Sequence, residues 1–186
     1  MMTGAAPLRA RSRASMAASQ SRRQGASTVK GNSKLIDSLN EILTQELTGI
    51  NQYFVHSMMC ENWGYQRLAS KIRKESVGEM KHAEELVERI LHLGGVPNLQ
   101  RLDKIKVGEK VPEQLKLDMD LEAAAVARLN NAVALAVEHG DNVTREMLEG
   151  MLKSEDDHLH WLETQLELLK QVGEHNYLAQ QIREEE

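Results

Sequence analysis

Two Glu-x-x-His motifs, Glu79-Met80-Lys81-His82 and Glu155-Asp156-Asp157-His158, are the residues of this chain best suited to chemistry. On a helix, positions i and i+3 lie about 60° apart in projection and one turn apart in height, so both side chains can reach one cation. Alone the motif carries little. With 21 Glu and 7 His in 186 residues, about one match is expected by chance, and a charged face in water accounts for it. The residues upstream carry more. Glu46 precedes Glu79 by 33 residues, and Glu122 precedes Glu155 by the same 33. Both upstream glutamates fall inside an apolar helical period, where a carboxylate without compensating charge is costly. Four carboxylates and two imidazoles converging in a dry core require positive charge, which two divalent cations supply. Hard oxygen and imidazole donors without thiolate suit iron or manganese, with zinc able to compete. The alternative is a non-catalytic helical scaffold with its acids scattered over solvated faces, and the matched spacings count against it.

The elements that must position these residues are long helices. Asn32 or Ser33 can cap a first helix that carries Leu35, Ile36, Leu39, Ile42, Leu43, Ile50 and Tyr53 at three- and four-residue steps and runs to about Asn62. After a Trp63-Gly64 corner, a second helix is expected from about Tyr65 to Leu93, stopped by Gly94-Gly95 and Pro97. A third begins with Pro112 near its first turn and ends near His139-Gly140. A fourth runs from Asp141 or Asn142 to about Val172, and a short fifth spans roughly Asn176 to Ile182. The two tight corners each join antiparallel neighbours. The 18 residues from Gly94 to Val111 show no strong period. Extended, they reach roughly 60 Å, whereas a 28-residue helix is about 42 Å long. They can therefore run the length of the bundle and make the second and third helices parallel. Two hairpins joined by one long crossover form an all-α, ferritin-like four-helix bundle, and each glutamate pair then meets at mid-bundle depth.

Composition agrees with that architecture and narrows the function. A chain of 186 residues, 41% hydrophobic and 27% charged, can bury a core without staples. Three prolines and six aromatic residues favour helix over β-sandwich. No apolar run approaches the ~20 residues of a spanning helix, so no membrane role is expected. The single cysteine, Cys60, can form neither an internal disulfide nor a cysteine-rich metal site, and fits a reducing compartment. Residues 1–30 carry six basic residues and no acid, whereas residues 31–186 carry 17 basic and 28 acidic residues, a net charge of −11. Such an acidic body makes nucleic acid a poor partner and a cation a good one.

From Val29 to Glu186 the chain resembles bacterioferritin. The resemblance is carried by Glu46-Leu47-Thr48-Gly49-Ile50-Asn51-Gln52-Tyr53-Phe54, Glu79-Met80-Lys81-His82-Ala83, Gly94 to Asn98, His158 to Glu163 and Gln181-Ile182-Arg183-Glu184. The donor set above is the one known from ferritin-like di-metal bundles, so it is identified here by match. The resemblance implies a hollow 24-subunit shell, oxidation of Fe(II) by oxygen or peroxide at a di-iron centre, and storage of ferric mineral inside. It implies the metal ligands Glu46, Glu79, His82, Glu122, Glu155 and His158, with Glu79 and Glu155 as bridges. It also implies a b-type haem shared between two subunits through Met80, and a ferredoxin-type electron donor for iron release. Met80 projects about 100° from Glu79 and about 160° from His82, so it does not share their metal. Without the resemblance it reads as core packing. Within the same class, a haem-free ferritin or a di-iron peroxide scavenger is the alternative.

Tyr53 lies seven positions from Glu46 on the same helix face. It resembles the family's tyrosine near the metals and reads either as an electron donor or as a packed ring with a bonded hydroxyl. Trp161 is expected in the core. His56, His92, His139, His160 and His175 have no acid at ligand spacing. Some bacterioferritins use a His and an Asp for an auxiliary inner-surface iron site, and Lys74 and Gly78 occupy those positions here. Residues 1–30 read as a disordered basic extension ahead of a di-iron domain over 31–186. The extension is Arg- and Ser-rich without an acid, as in an organelle transit peptide, which would direct the chain to the mitochondrion. Alternatively, Val29-Lys30-Gly31 occupies the place of the family's usual Met-Lys-Gly start. Residues 1–28 would then be a mis-annotated start and the location cytoplasmic.

Overall fold

The computed structural model describes Met1 and residues 31–183. The basic extension expected over residues 1–30, Met1 apart, lies outside the described residues, as does Glu184 at the end of the last segment that carries the resemblance. Five helices follow in order: α1 (Ser33–Asn62), α2 (Gln66–His92), α3 (Val111–Glu138), α4 (Asn142–Val172) and α5 (Glu174–Ala179). The Asn32 side chain caps α1 by accepting from the Lys34 N–H at 2.8 Å. Gly64 and Gly140 make the two tight corners at φ 87° and 67°, a region that a Cβ disfavours. The predicted four long helices are all present, with boundaries within one residue at most ends. The short fifth helix differs. It starts two residues before the expected Asn176 and ends three before Ile182, because α4 stops at Gly173 and the chain turns directly into α5. There the Tyr177 N–H donates to the Gly173 carbonyl at 3.0 Å. Its far end is stopped where Gln181 O accepts from the Arg67 N–H at 3.0 Å.

The hairpins α1–α2 and α3–α4 pack extensively within themselves and join mainly through α1 against α3. The core is divided in two. One cluster gathers Leu39, Leu43, Leu86, Ile90, Leu129 and Leu148. The other gathers Tyr53, Leu68, Ile72, Leu115, Leu162 and Tyr177. The middle turns of all four long helices lie between these clusters in sequence, and there the buried side chains turn polar: Glu46, Glu79, Glu122, Glu155 and His158. Apolar packing at both ends clamps the helices, and this offsets the cost of the charged layer between them.

The crossover between α2 and α3 has no apolar period because side chains of α1 hold its backbone. Asn40 Oδ1 accepts from the Asn98 N–H (2.8 Å), Thr48 Oγ1 from Asp103 (2.9 Å), Gln52 Oε1 from Lys106 (3.1 Å) and His56 Nε2 from Gly108 (3.1 Å). These residues stand at multiples of four along α1 and form one stripe. Gly108 packs so tightly that a Cβ there would lie 2.7 Å from Gln114 N. At the opposite corner, Asp141 caps α4 by accepting from the Thr144 N–H (3.0 Å) and pairs with Arg89 of α2 at 2.7 Å. That pairing, assisted by the Thr144 bonds, holds the Asp141 carboxyl below its usual range despite partial burial.

Candidate metal centre

Each long helix contributes to the polar layer from its middle. Glu46 projects inward from α1, Glu79 and His82 from α2, Glu122 from α3, and Glu155 and His158 from α4. The three-residue step of each Glu-x-x-His brings carboxylate and imidazole to adjacent turns of one face. Gly49 makes room for Glu79, since a Cβ at Gly49 would sit 3.3 Å from Glu79 Cγ. All six predicted residues come together as two overlapping groups: Glu46, Glu79, His82 and Glu155, and then Glu79, Glu122, Glu155 and His158. Within each group one donor atom per residue lies within 4.8 Å of the others. Glu79 and Glu155 belong to both. The four carboxylates are at most 6% exposed.

His82 Nδ1 lies 2.8 Å from Glu155 Oε1, 3.3 Å from Glu46 Oε2 and 3.5 Å from Glu79 Oε2. His158 Nδ1 lies 3.2 Å from Glu122 Oε1 and 3.7 Å from Glu75 Oε2. These approaches are close yet badly aligned. Glu46 Oε2, His82 Nδ1, Glu155 Oε1 and His158 Nδ1 are buried without a hydrogen-bond partner. Buried polar atoms are ordinarily satisfied, and four unsatisfied donor atoms converging on one volume are what a ligand sphere requires. Four carboxylates match the charge of two divalent cations, and the oxygen and nitrogen donors suit iron.

Burial drives the titration of the cluster. It raises Glu46 and lifts Glu79 well above the usual carboxylate range, with Glu46 adding repulsion to Glu79. Burial and the charge of Glu79 bring Glu122 up to about 8. Glu155 rises to about 7 through burial, although His82 counters it. For His82, burial opposes the charge, but the carboxylates of Glu155, Glu46 and Glu79 prevail and push it up to about 12. For His158 burial prevails: it is lowered, although Glu75, Glu79 and Glu155 oppose the shift. Without a cation, protons therefore do the neutralising, and metal entry must displace them.

Three neighbours add to the predicted set. Tyr53 is 1% exposed and donates its hydroxyl to Glu122 Oε1, and its ring centroid lies 5.4 Å from that of His158. The bonded-hydroxyl reading of this residue is the one observed. Glu75, one turn before Glu79, approaches His158, and its position on the Glu79 face was the available signal. His56 is fully buried and pairs with Asp118 at 2.9 Å, while Gln52 Nε2 donates to Asp118 at 2.9 Å. Ligand spacing within a helix does not reveal this pair, because the partners are 62 residues apart on α1 and α3. Trp161, expected in the core, is half-buried: it packs against the second apolar cluster and also lines an open groove, its ring 6.0 Å from His158 with the Lys71 ammonium 4.9 Å above it.

Met80 is absent from the core. It is 56% exposed on α2, one turn from the exposed Val77; on α1, Phe54 and Met58 are also exposed, and the Arg73 guanidinium lies 4.6 Å over the Phe54 ring. Lys74 is exposed at the groove beside Trp161, and Gly78 has open space where a Cβ would stand. Neither residue offers a carboxylate or imidazole. Among the described residues, no helix is long and apolar enough to cross a membrane.

Residues 36–172 match the ferritin-like domain family. The chain is 43% identical over 152 residues to a bacterioferritin of Mycobacterium leprae, covering 82% of this chain and 96% of that protein. It is 41% identical over 151 residues to a bacterioferritin of Streptomyces coelicolor (81% and 90% covered) and 40% identical over 149 residues to one of Brucella melitensis (80% and 92% covered).

Proposed function

Since the chain belongs to the bacterioferritin family, whose members store iron, we propose that it oxidises Fe(II) at an intrasubunit di-iron ferroxidase centre and stores the ferric product inside a 24-subunit shell. The observation that carries this reading is the pair of overlapping donor groups sharing Glu79 and Glu155. Two ferrous ions bound side by side each give up one electron, and the pair reduces dioxygen to peroxide or peroxide to water. Glu46 and His82 hold one ion, Glu122 and His158 the other, and Glu79 with Glu155 stands between them. Tyr53 fixes Glu122 through its hydroxyl and is the nearest oxidisable ring. As ferrous ions enter, the protons carried by Glu122, Glu155 and His82 leave, so uptake is favoured as pH rises.

In this reading Met80 would hold a b-type haem through its thioether sulfur, with the haem shared between two subunits. A methionine 56% exposed one turn from the exposed Val77 supports it, since a large apolar side chain left on the surface suits a porphyrin or a second subunit. The haem would pass electrons from a ferredoxin-type donor during iron release. A cytoplasmic location goes with this reading, and neither nucleic acid nor membrane is a partner.

The test is the initial rate of Fe(II) oxidation in Glu46→Ala, Glu79→Ala and His158→Ala. Each removes a donor from a buried dication pair, and a loss of about 100-fold or more is expected. Shells should assemble normally. Wild-type rates in two of the three variants would contradict the assignment.

A further inference from the structure

The metal centre is nearly symmetric, and one helical turn breaks the symmetry. On α2 the inward stripe reads Lys71, Glu75, Glu79 and His82, and on α4 the same spacings read Met147, Met151, Glu155 and His158. The residue one turn before each shared glutamate is therefore a carboxylate on α2 and a thioether on α4. Met151 is 2% exposed and belongs to the first apolar cluster. Glu75 instead brings a hard oxygen donor to the edge of the centre, on the side of His158.

Glu75 Oε2 lies 3.7 Å from His158 Nδ1, and Glu122 Oε1 lies 3.2 Å from the same atom, which is buried without a hydrogen-bond partner. Imidazole nitrogen and carboxylate oxygen each bond a divalent cation at about 2.1 Å. Two such donors on one ion therefore stand about 3.0 Å apart at a right angle and about 3.6 Å apart at 120°. The two observed separations sit beside these values, so a cation at His158 is within reach of Glu75 as well as Glu122. In the metal-free centre Glu75 is paired with Lys71, and the two side chains are 20% and 35% exposed. That hold is weak. The pair is partly in solvent, and the lysine precedes the glutamate, the less favourable order on a helix. Charge also permits the exchange. A fifth carboxylate leaves a centre filled with two dications one charge negative, and the Lys71 ammonium beside it cancels that charge.

We propose that Glu75 is a seventh metal donor, which exchanges Lys71 for the cation at the His158 position. The inference rests on the two-cation reading of the site given above. The His82 position has no counterpart, because Met151 stands where the matching carboxylate would be. The two positions therefore differ in affinity, and the His158 position is the tighter.

The experiment uses the full-length, assembled chain freed of iron, with Co(II) as the probe under anaerobic conditions. Titration followed by the visible absorption of bound Co(II) should show two cations per chain, taken up in two unequal steps. Glu75→Gln, which keeps the side-chain volume, should weaken the tighter step at least about tenfold and leave the other unchanged. A crystal structure of the Co(II)-loaded wild-type protein should place a Glu75 oxygen within about 2.3 Å of the ion at His158. Two bound Co(II) with Glu75 still on Lys71 would overturn the proposal and leave the six-residue centre standing, as would a variant that binds both ions like the wild type. No Co(II) between Glu79 and Glu155 would overturn both.

Discussion

Burial brings Glu122 to about 8 and Glu155 to about 7, and surrounding carboxylates bring His82 to about 12, so the metal-free centre holds more protons than the unfolded chain at neutral pH. For a carboxyl whose folded value is raised, the folded state binds the extra proton between the two values, and stability falls as pH rises through that window. The window here runs from about 4.5 to about 8 for Glu122, and from about 6.5 to about 12 for His82. Metal-free protein should therefore melt at a lower temperature at pH 8 than at pH 6. Saturating Zn(II), a redox-silent stand-in, should reverse the order, because the metal replaces the protons. A metal-free melting point unchanged between pH 6 and pH 8 would contradict the reading of the cluster. Met80 can be examined separately, since it faces away from the donors. Met80→Leu conserves volume and should cost less than about 1.5 kcal/mol. The variant should assemble and oxidise Fe(II) at the wild-type rate while losing the haem Soret band. Retention of the wild-type haem spectrum would remove Met80 from the haem site.

At the scale of elements, the long helices were legible because apolar residues recur at three- and four-residue steps and the stops are chemically loud: Trp63-Gly64, Gly94-Gly95, His139-Gly140 and Gly173. The donors were legible because each Glu-x-x-His is repeated with the same offset to an upstream Glu. The crossover was legible only as a length. What holds it is written on α1, in Asn40, Thr48, Gln52 and His56, and these bond to backbone that has no side-chain signature of its own. The His56–Asp118 pair was hidden for a related reason, since a pairing across 62 residues exists only once α1 packs on α3. Likewise α5 was misplaced because its end is set by a backbone bond to Arg67 and not by local composition. The strap can be tested. His56→Ala leaves the buried Asp118 carboxylate with only the Gln52 amide and strands the Gly108 N–H, and should cost about 3 kcal/mol in denaturant unfolding. Amide exchange should accelerate at Asp103, Lys106 and Gly108. Unchanged exchange there would show that the crossover is held by something else.

For the whole molecule, two apolar clusters clamp four helices around a central layer of carboxylates and imidazoles, and an acidic body surrounds it. Met80 is exposed on α2 while the six donors are gathered in the buried layer, so it can be altered without touching the centre. The central claim is that one folded chain holds two ferrous ions and oxidises them together. Stopped-flow mixing of assembled, iron-free protein with increasing Fe(II) in oxygenated buffer tests it most directly. The fast oxidation phase should grow in amplitude up to two Fe(II) per chain, stop there, and be absent in Glu79→Ala. Saturation at one Fe(II) per chain, or a fast phase that Glu79→Ala leaves intact, would contradict the account.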